Sequence, residues 1–215
     1  MEPHLEQGMI KMDSFIISAF CTAETSYEMI LATQLLPSLD KLGLKYHIEV
    51  VENQGSWLKN VAQKPLTILH TMEKYPSYNI VSLDADSEVF QFPKLFNEIP
   101  ENYEIALHTL DWDTWYQNNS HIKEILSGTL WIRNNEKMRS FVKEWYLRAE
   151  TINKWEQKCL QELLEERKES IKIFPLPLNY CWISSLPDGK SPHIQCDDIV
   201  VRHNQASRKL KKQIT

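Results

Sequence analysis

Apolar positions fall in short dense runs separated by longer stretches of helical spacing. Residues 14–20 (SFIISAF) form a near-continuous apolar run, the signature of a strand buried on both faces. Ile30, Leu31, Leu35 and Leu39 recur at helical spacing and predict a helix over 26–42, with a kink or break at Pro37. A second strand is predicted over 45–51, then a helix over 57–75 in which Pro65 can open a second segment. Strands at 80–83, 104–110 and 128–132, helices at 136–148 and 156–167, and late strands at 170–174 and 199–203 complete the reading. This β–α alternation predicts an α/β fold, a single Rossmann-like domain with a mostly parallel sheet and helices on both faces. The domain is expected to span 14–215, after a flexible segment at 1–13. In such sheets ligands bind at the carboxyl ends of strands.

One strand exit carries the most informative chemistry. The run Ile80–Leu83 delivers Asp84-Ala85-Asp86. In an extended chain the i and i+2 side chains point the same way, so both carboxylates can face one hard cation. A divalent ion held by two carboxylates keeps open positions, which phosphate oxygens commonly fill. A solvated strand-end turn is the competing explanation of a lone D-x-D.

Composition narrows the field. The 215 residues fit one domain with a full core, and 42% hydrophobic with 25% charged residues is ordinary for a soluble protein. Only five glycines occur, with no glycine-rich dinucleotide or P-loop fingerprint. The net charge of −5 speaks against wholesale nucleic-acid or anionic-membrane binding, although Arg202–Lys212 forms a local basic tail suited to clamping an anion. Cys21, Cys159, Cys181 and Cys196 show no C-x-x-C spacing and read as core fillers in a reducing compartment. With no export signal and no transmembrane-length apolar run, a cytoplasmic location is expected. Seven Trp and eight Tyr supply rings for packing and stacking. The segment His108–Tyr116 sets Asp111, Trp112 and Asp113 just after a predicted strand, which suits an acceptor pocket or, equally, a loop with its rings tucked into the core.

Several ordered segments together resemble the GT-A-type, D-x-D-containing nucleotide-sugar glycosyltransferases. These are CTAETSYEMI, GSWLKNVAQK (55–64), VSLDAD, SGTLWIRNN (127–135), WEQKCLQELL (155–164), FPLPLNYCW and IVVRH, over roughly Ser14 to Lys212. The resemblance implies transfer of a sugar from a nucleotide-diphospho-sugar, UDP-sugar by default, to an acceptor hydroxyl. Retention of configuration is slightly favoured. It implies Mn²⁺ or Mg²⁺ at Asp84, Asp86 and His203, and donor contacts from Thr22, Tyr27, Asn60, Lys64, Asp84, Ala85, Arg208 and Lys209. Asp86, Glu156 and Gln157 would serve catalysis. Ser127 and Gly128, with Asp111–Asp113, would meet the acceptor, whose identity stays open among a saccharide, a protein, a lipid-linked sugar and a modified nucleic-acid base. Two departures are visible: Leu126 stands where relatives carry Asn before Ser-Gly, and Glu156 stands where they carry Asp. Two rival readings fit less of the chain. One is a haloacid-dehalogenase-like phosphatase, but its aspartates normally open the chain and about eighty residues precede these. The other is a non-catalytic sugar-nucleotide or carbohydrate-binding module.

Overall fold

The computed structural model describes residues 14–117, 119–152, 154–185 and 194–206. The chain opens with β1 (Phe15–Thr22), then α1 (Ser26–Ile30), a π-turn (Leu31–Leu35) and α2 (Leu36–Lys41). Then come β2 (Tyr46–Val51), α3 (Trp57–Val61), α4 (Gln63–Lys74), β3 (Asn79–Leu83) and β4 (Ser87–Val89). The second half holds β5 (Ile105–Asp111), α5 (Trp112–Tyr116), β6 (Lys123–Ile132), α6 (Glu136–Thr151) and α7 (Glu156–Glu166). Short strands β7 (Ile173–Pro175), β8 (Trp182–Ile183) and β9 (Val201–His203) follow.

The main sheet has the order β2-β1-β3-β6-β5-β7, and only β6 runs against the other five. Alternation along β1 sorts the core into two layers. Phe15, Ile17, Ala19 and Cys21 pack with Leu31, Leu35 and Leu39 of the first helical stretch. Ile16 points the other way, into a layer built by α4, α6 and α7 around Ile68, Met72, Phe141, Trp145 and Leu160. The mostly parallel sheet with helices on both faces is as the periodicity predicts.

Three local outcomes differ from the sequence expectation. The helix does not break at Pro37. A π-turn precedes it, the Leu36 N–H reaching back to the Leu31 carbonyl, and the wider turn absorbs the proline ring and its missing donor. The helix ends at Gly43 (φ +63°), where the Gly43 and Leu44 amides donate to the Asp40 and Leu39 carbonyls, a Schellman close that sends the chain into β2. The second helix divides at Ala62, so its second segment opens at Gln63, two residues before Pro65.

The third difference matters most for function. The late strand joins a separate three-stranded sheet, β4-β9-β8, in which Ser87 pairs with His203. To pass from one sheet to the other, the chain turns between Leu83 and Ser87, with the Ser87 amide donating to the Asp84 carbonyl at 3.0 Å. The aspartates therefore converge through a β-turn and not along an extended strand.

No disulfide joins the described cysteines. Among the described residues no helix is long and apolar enough to cross a membrane. The expectations for residues 1–13, and for Arg208 and Lys209, lie outside the described residues.

Candidate active site

Asp84, Asp86 and His203 each offer one ligand atom, and these atoms all lie within 4.8 Å of one another. The turn after β3 supplies the carboxylates and β9 supplies the imidazole. His203 is 2% exposed, its Nδ1 3.1 Å from Ser87 Oγ and its Nε2 2.8 Å from Thr129 Oγ1. Burial pushes its pKa down to about 4, so the ring is neutral near neutrality and keeps a lone pair. Asp86 Oδ2 accepts the Ala206 amide at 2.6 Å, and burial followed by the Asp84 charge pushes its carboxyl up to about 6.

The opposite wall is Gly128. A Cβ there would lie 2.8 Å from His203 Cε1, 3.0 Å from its Nδ1 and 3.1 Å from Asp84 Oδ2. Only glycine lets β6 come this close, and the Asp84 amide donates to the Gly128 carbonyl at 3.1 Å.

Lys64 closes the cluster on its other side. Its ammonium lies 2.7 Å from Asp84 Oδ1, 3.1 Å from Glu156 Oε1, and 3.3 Å from both the carbonyl and the hydroxyl of Ser127. Burial opposes its charge, but the two carboxylates outweigh that, and its pKa is raised. Asp84 is held below the ordinary carboxylate range: burial opposes this, and the charges of Lys64 and His203 prevail. Glu156 also accepts from Ser127 Oγ at 2.8 Å, while its Oε2 is buried without a hydrogen-bond partner among the described residues. Gln157 accepts the Ser127 amide at 3.0 Å and donates to Glu124 Oε1 at 2.8 Å. Trp112 Nε1 donates to the other Glu124 oxygen at 2.9 Å. One polar network thus runs from Asp84 through Lys64, Glu156, Ser127 and Gln157 to Glu124.

These groups line a cavity of about 860 Å³ at the carboxyl ends of β1 and β3. The structure brings together Thr22, Tyr27, Asn60, Lys64, Asp84, Ala85, Asp86, Ser127, Gly128, Glu156, Gln157 and His203 around it. Asn60 also accepts the Gln54 amide and donates to Asn53, pinning the loop before α3. The segment at 111–113 is placed otherwise. Asp111 caps α5 by accepting the Asp113 and Thr114 amides, and Asp113 accepts the His121 amide, so both carboxylates are spent on the fold and neither lines the cavity. Trp112 lines a smaller adjoining cavity.

Sequence reasoning missed Glu124, Trp57 and Trp155. Trp57 and Trp155 meet edge to face at 6.0 Å, joining the starts of α3 and α7 beside the cavity. Glu124 gave no signal, lying before the strand predicted at 128–132, although GSW and WEQ had already placed the two rings in ordered motifs.

No protein-family model matches the chain, and no curated protein sequence does either. Solved structures do match. A glycosyltransferase involved in glycosylation of the major capsid of PBCV-1 superposes with a TM-score of 0.65 at 16% identity, over 93% of this chain and 98% of that one. The chain has the GT-A-type glycosyltransferase fold. The bifunctional glycosyltransferase WbbM matches at a TM-score of 0.56 and 11% identity, over 95% of this chain, which spans 47% of WbbM. Mouse xyloside xylosyltransferase 1 matches at 0.52 and 11%, over 91% of this chain and 99% of that one.

Proposed function

We propose that the protein is a metal-dependent glycosyltransferase that takes its sugar from a nucleotide-diphospho-sugar, with UDP-sugar the favoured donor. The observation that carries this reading is the convergence of Asp84, Asp86 and His203 at the floor of the large cavity, against a glycine that leaves no room for a Cβ.

The donor set fits a divalent ion. Two carboxylate oxygens and one neutral imidazole nitrogen suit Mn²⁺ or Mg²⁺ and leave positions for diphosphate oxygens. When bound, such an ion offsets the negative charge that gathers on the departing diphosphate.

The remaining steps belong to the chain. Thr22 and Tyr27, at the exit of β1 and the start of α1, border the part of the cavity where a base and ribose would lie. Lys64 stays charged and gives the sugar end of the cavity a fixed positive centre. Glu156 holds Lys64 at 3.1 Å and Ser127 Oγ at 2.8 Å on the cavity wall, and so fixes the groups that meet the transferred sugar. As the bond from the anomeric carbon to the diphosphate oxygen breaks, a new bond forms to the acceptor oxygen, and the proton of the acceptor hydroxyl passes to the departing diphosphate. The retaining course implied by the resemblance belongs to the same reading and is checked by the anomeric configuration of the product.

The Lys64–Asp84 contact also fits the phosphatase reading, which calls for a lysine beside its aspartate. Against it, Asp197 and Asp198, the adjacent acids that could mimic the later acid pair of such phosphatases, do not line the cavity.

The deciding experiment is a thermal-shift screen of UDP, GDP and their sugars, each with and without Mn²⁺. A shift that requires both a nucleotide and the metal supports the reading. No shift with any pair, together with phosphate release from simple phosphoesters, would move the phosphatase to first place.

A further inference from the structure

Beside the large cavity, between α7 and the start of β6, lies a second cavity of about 250 Å³. The two share Glu124, Trp155 and Gln157 in their linings, so they lie side by side. We propose that this annex is the acceptor subsite, that it takes a sugar ring, and that Glu124 at the junction positions the hydroxyl that receives the transferred sugar. The acceptor is then a saccharide, not a lipid or a base. This rests on the reading of the large cavity as the donor site.

The lining is what a pyranose requires. A sugar ring presents apolar C–H faces and a rim of hydroxyls. The annex offers two indoles, Trp112 and Trp155, with Glu124, Gln157 and Gln161 around them and the ammonium-bearing Lys123 and Lys158 completing its polar lining. A lipid chain would desolvate those polar groups without replacing their hydrogen bonds.

Glu124 is held for the task. Each of its oxygens takes one protein donor, Gln157 Nε2 on Oε1 and Trp112 Nε1 on Oε2, which fixes the plane of the carboxylate. A carboxylate has about four lone-pair sites, so both oxygens keep capacity for ligand hydroxyls. Gln157 in turn accepts from Ser127, next to the glycine of the metal cluster. Glu124 is therefore coupled to the donor cavity by direct hydrogen bonds and stands where an acceptor hydroxyl in the annex would meet a donor sugar beside Glu156.

The test uses the whole chain and a panel of methyl glycosides (of glucose, galactose, mannose, xylose, rhamnose and N-acetylglucosamine), read by saturation-transfer NMR and tryptophan fluorescence. At least one glycoside is expected to bind the wild type. Glu124→Gln should weaken that binding about tenfold, the effect of losing one charge-assisted hydrogen bond. Gln161→Ala, on the rim and remote from the core, is expected to weaken it in the same direction. Gln161→Ala should keep the UDP–Mn²⁺ thermal shift of the wild type, and both variants should keep its ligand-free melting temperature, which reports that they fold. The proposal is overturned if no glycoside binds, if binding is indifferent to both substitutions, or if free nucleobases bind the annex instead. A wild type that binds glycosides through Glu124 but shows no UDP–Mn²⁺ shift would overturn the donor reading and leave the saccharide subsite standing.

Discussion

Lys64 Nζ lies 2.7 Å from Asp84 Oδ1 and is buried, 6% exposed, so a helix start and a strand exit are joined by a single ammonium. The same ammonium neutralises Glu156, whose side chain is 3% exposed. Replacing Lys64 with Met would leave a carboxylate uncompensated in the interior, and removing one partner of a buried pair costs about 3–5 kcal/mol. Lys64→Met is therefore expected to lower the urea midpoint sharply near neutral pH. Lys64→Arg should rescue little, because the planar guanidinium cannot fill a site shaped for a compact ammonium. An unchanged midpoint for Lys64→Met would show that the pair contributes nothing to folding.

Gly128→Ala tests the close wall. Its Cβ would stand 2.8 Å from His203 Cε1, and the imidazole, packed between Ser87 and Thr129, has little room to yield. Overpacking of this kind costs about 1–3 kcal/mol. The stabilisation by Mn²⁺ with UDP should fall by more than that loss alone implies, because the ring that moves is a proposed ligand. Thermal denaturation with and without the pair measures both quantities. A variant that responds to Mn²⁺ and UDP as the wild type does would separate Gly128 from the metal cluster.

Much of this arrangement was legible in the chain, for a physical reason. Buried parallel strands must be apolar throughout, so β1 and β3 announced themselves, and the D-x-D stood at the exit of one of them. Lys64 and Asn60 stood together in the GSWLKNVAQK segment, and both reach the cavity although the helix divides at Ala62. What escaped was long-range. Nothing in residues 87–89 or 201–203 tells that they pair, yet that pairing turns the chain at Asp84–Ser87 and brings His203 to the aspartates. Asp111 and Asp113 misled for the opposite reason. A carboxylate near an aromatic ring looks alike in sequence whether it meets a ligand or caps a short helix, and here the Asp113, Thr114 and His121 amides claim both.

Asp86 gives the site a definite pH response. Its folded pKa of about 6 stands above the ordinary 3.8, so the metal-free fold binds a proton that the unfolded chain releases. Metal-free stability from this group should therefore rise as pH falls from about 7 through 6 toward 4. Between about 6.5 and 4 the unfolded chain protonates His203 while the buried ring, held down to about 4, stays neutral, so this residue opposes the gain over the same fall in pH. A divalent ion needs the ionised carboxylate, so the stabilisation by Mn²⁺ with UDP should shrink over the same fall. Melting temperatures with and without the pair, near pH 7 and near pH 5, give both slopes. Asp86→Asn should leave the opposing His203 contribution alone, so metal-free stability in that variant should fall with pH, and an unaltered slope would assign the effect elsewhere.

Trp145 offers a way to disturb Glu156 without touching the proposed metal ligands. Its ring is fully buried beneath the start of α7, and its Nε1 donates to the Glu156 carbonyl at 2.8 Å. Trp145→Phe removes that hydrogen bond and leaves a small void, together costing about 2 kcal/mol. Glu156 heads α7, so losing this tether loosens the backbone that aims its carboxylate into the cavity. The response to UDP with Mn²⁺ should survive, because Asp84, Asp86 and His203 stand on other elements. Discrimination between different UDP-sugars should narrow, because the Glu156 carboxylate would no longer hold Lys64 and Ser127 in place against the sugar. The comparison is the spread of thermal shifts across a set of UDP-sugars in the variant and the wild type. An equal spread would mean that Glu156 does not read the sugar.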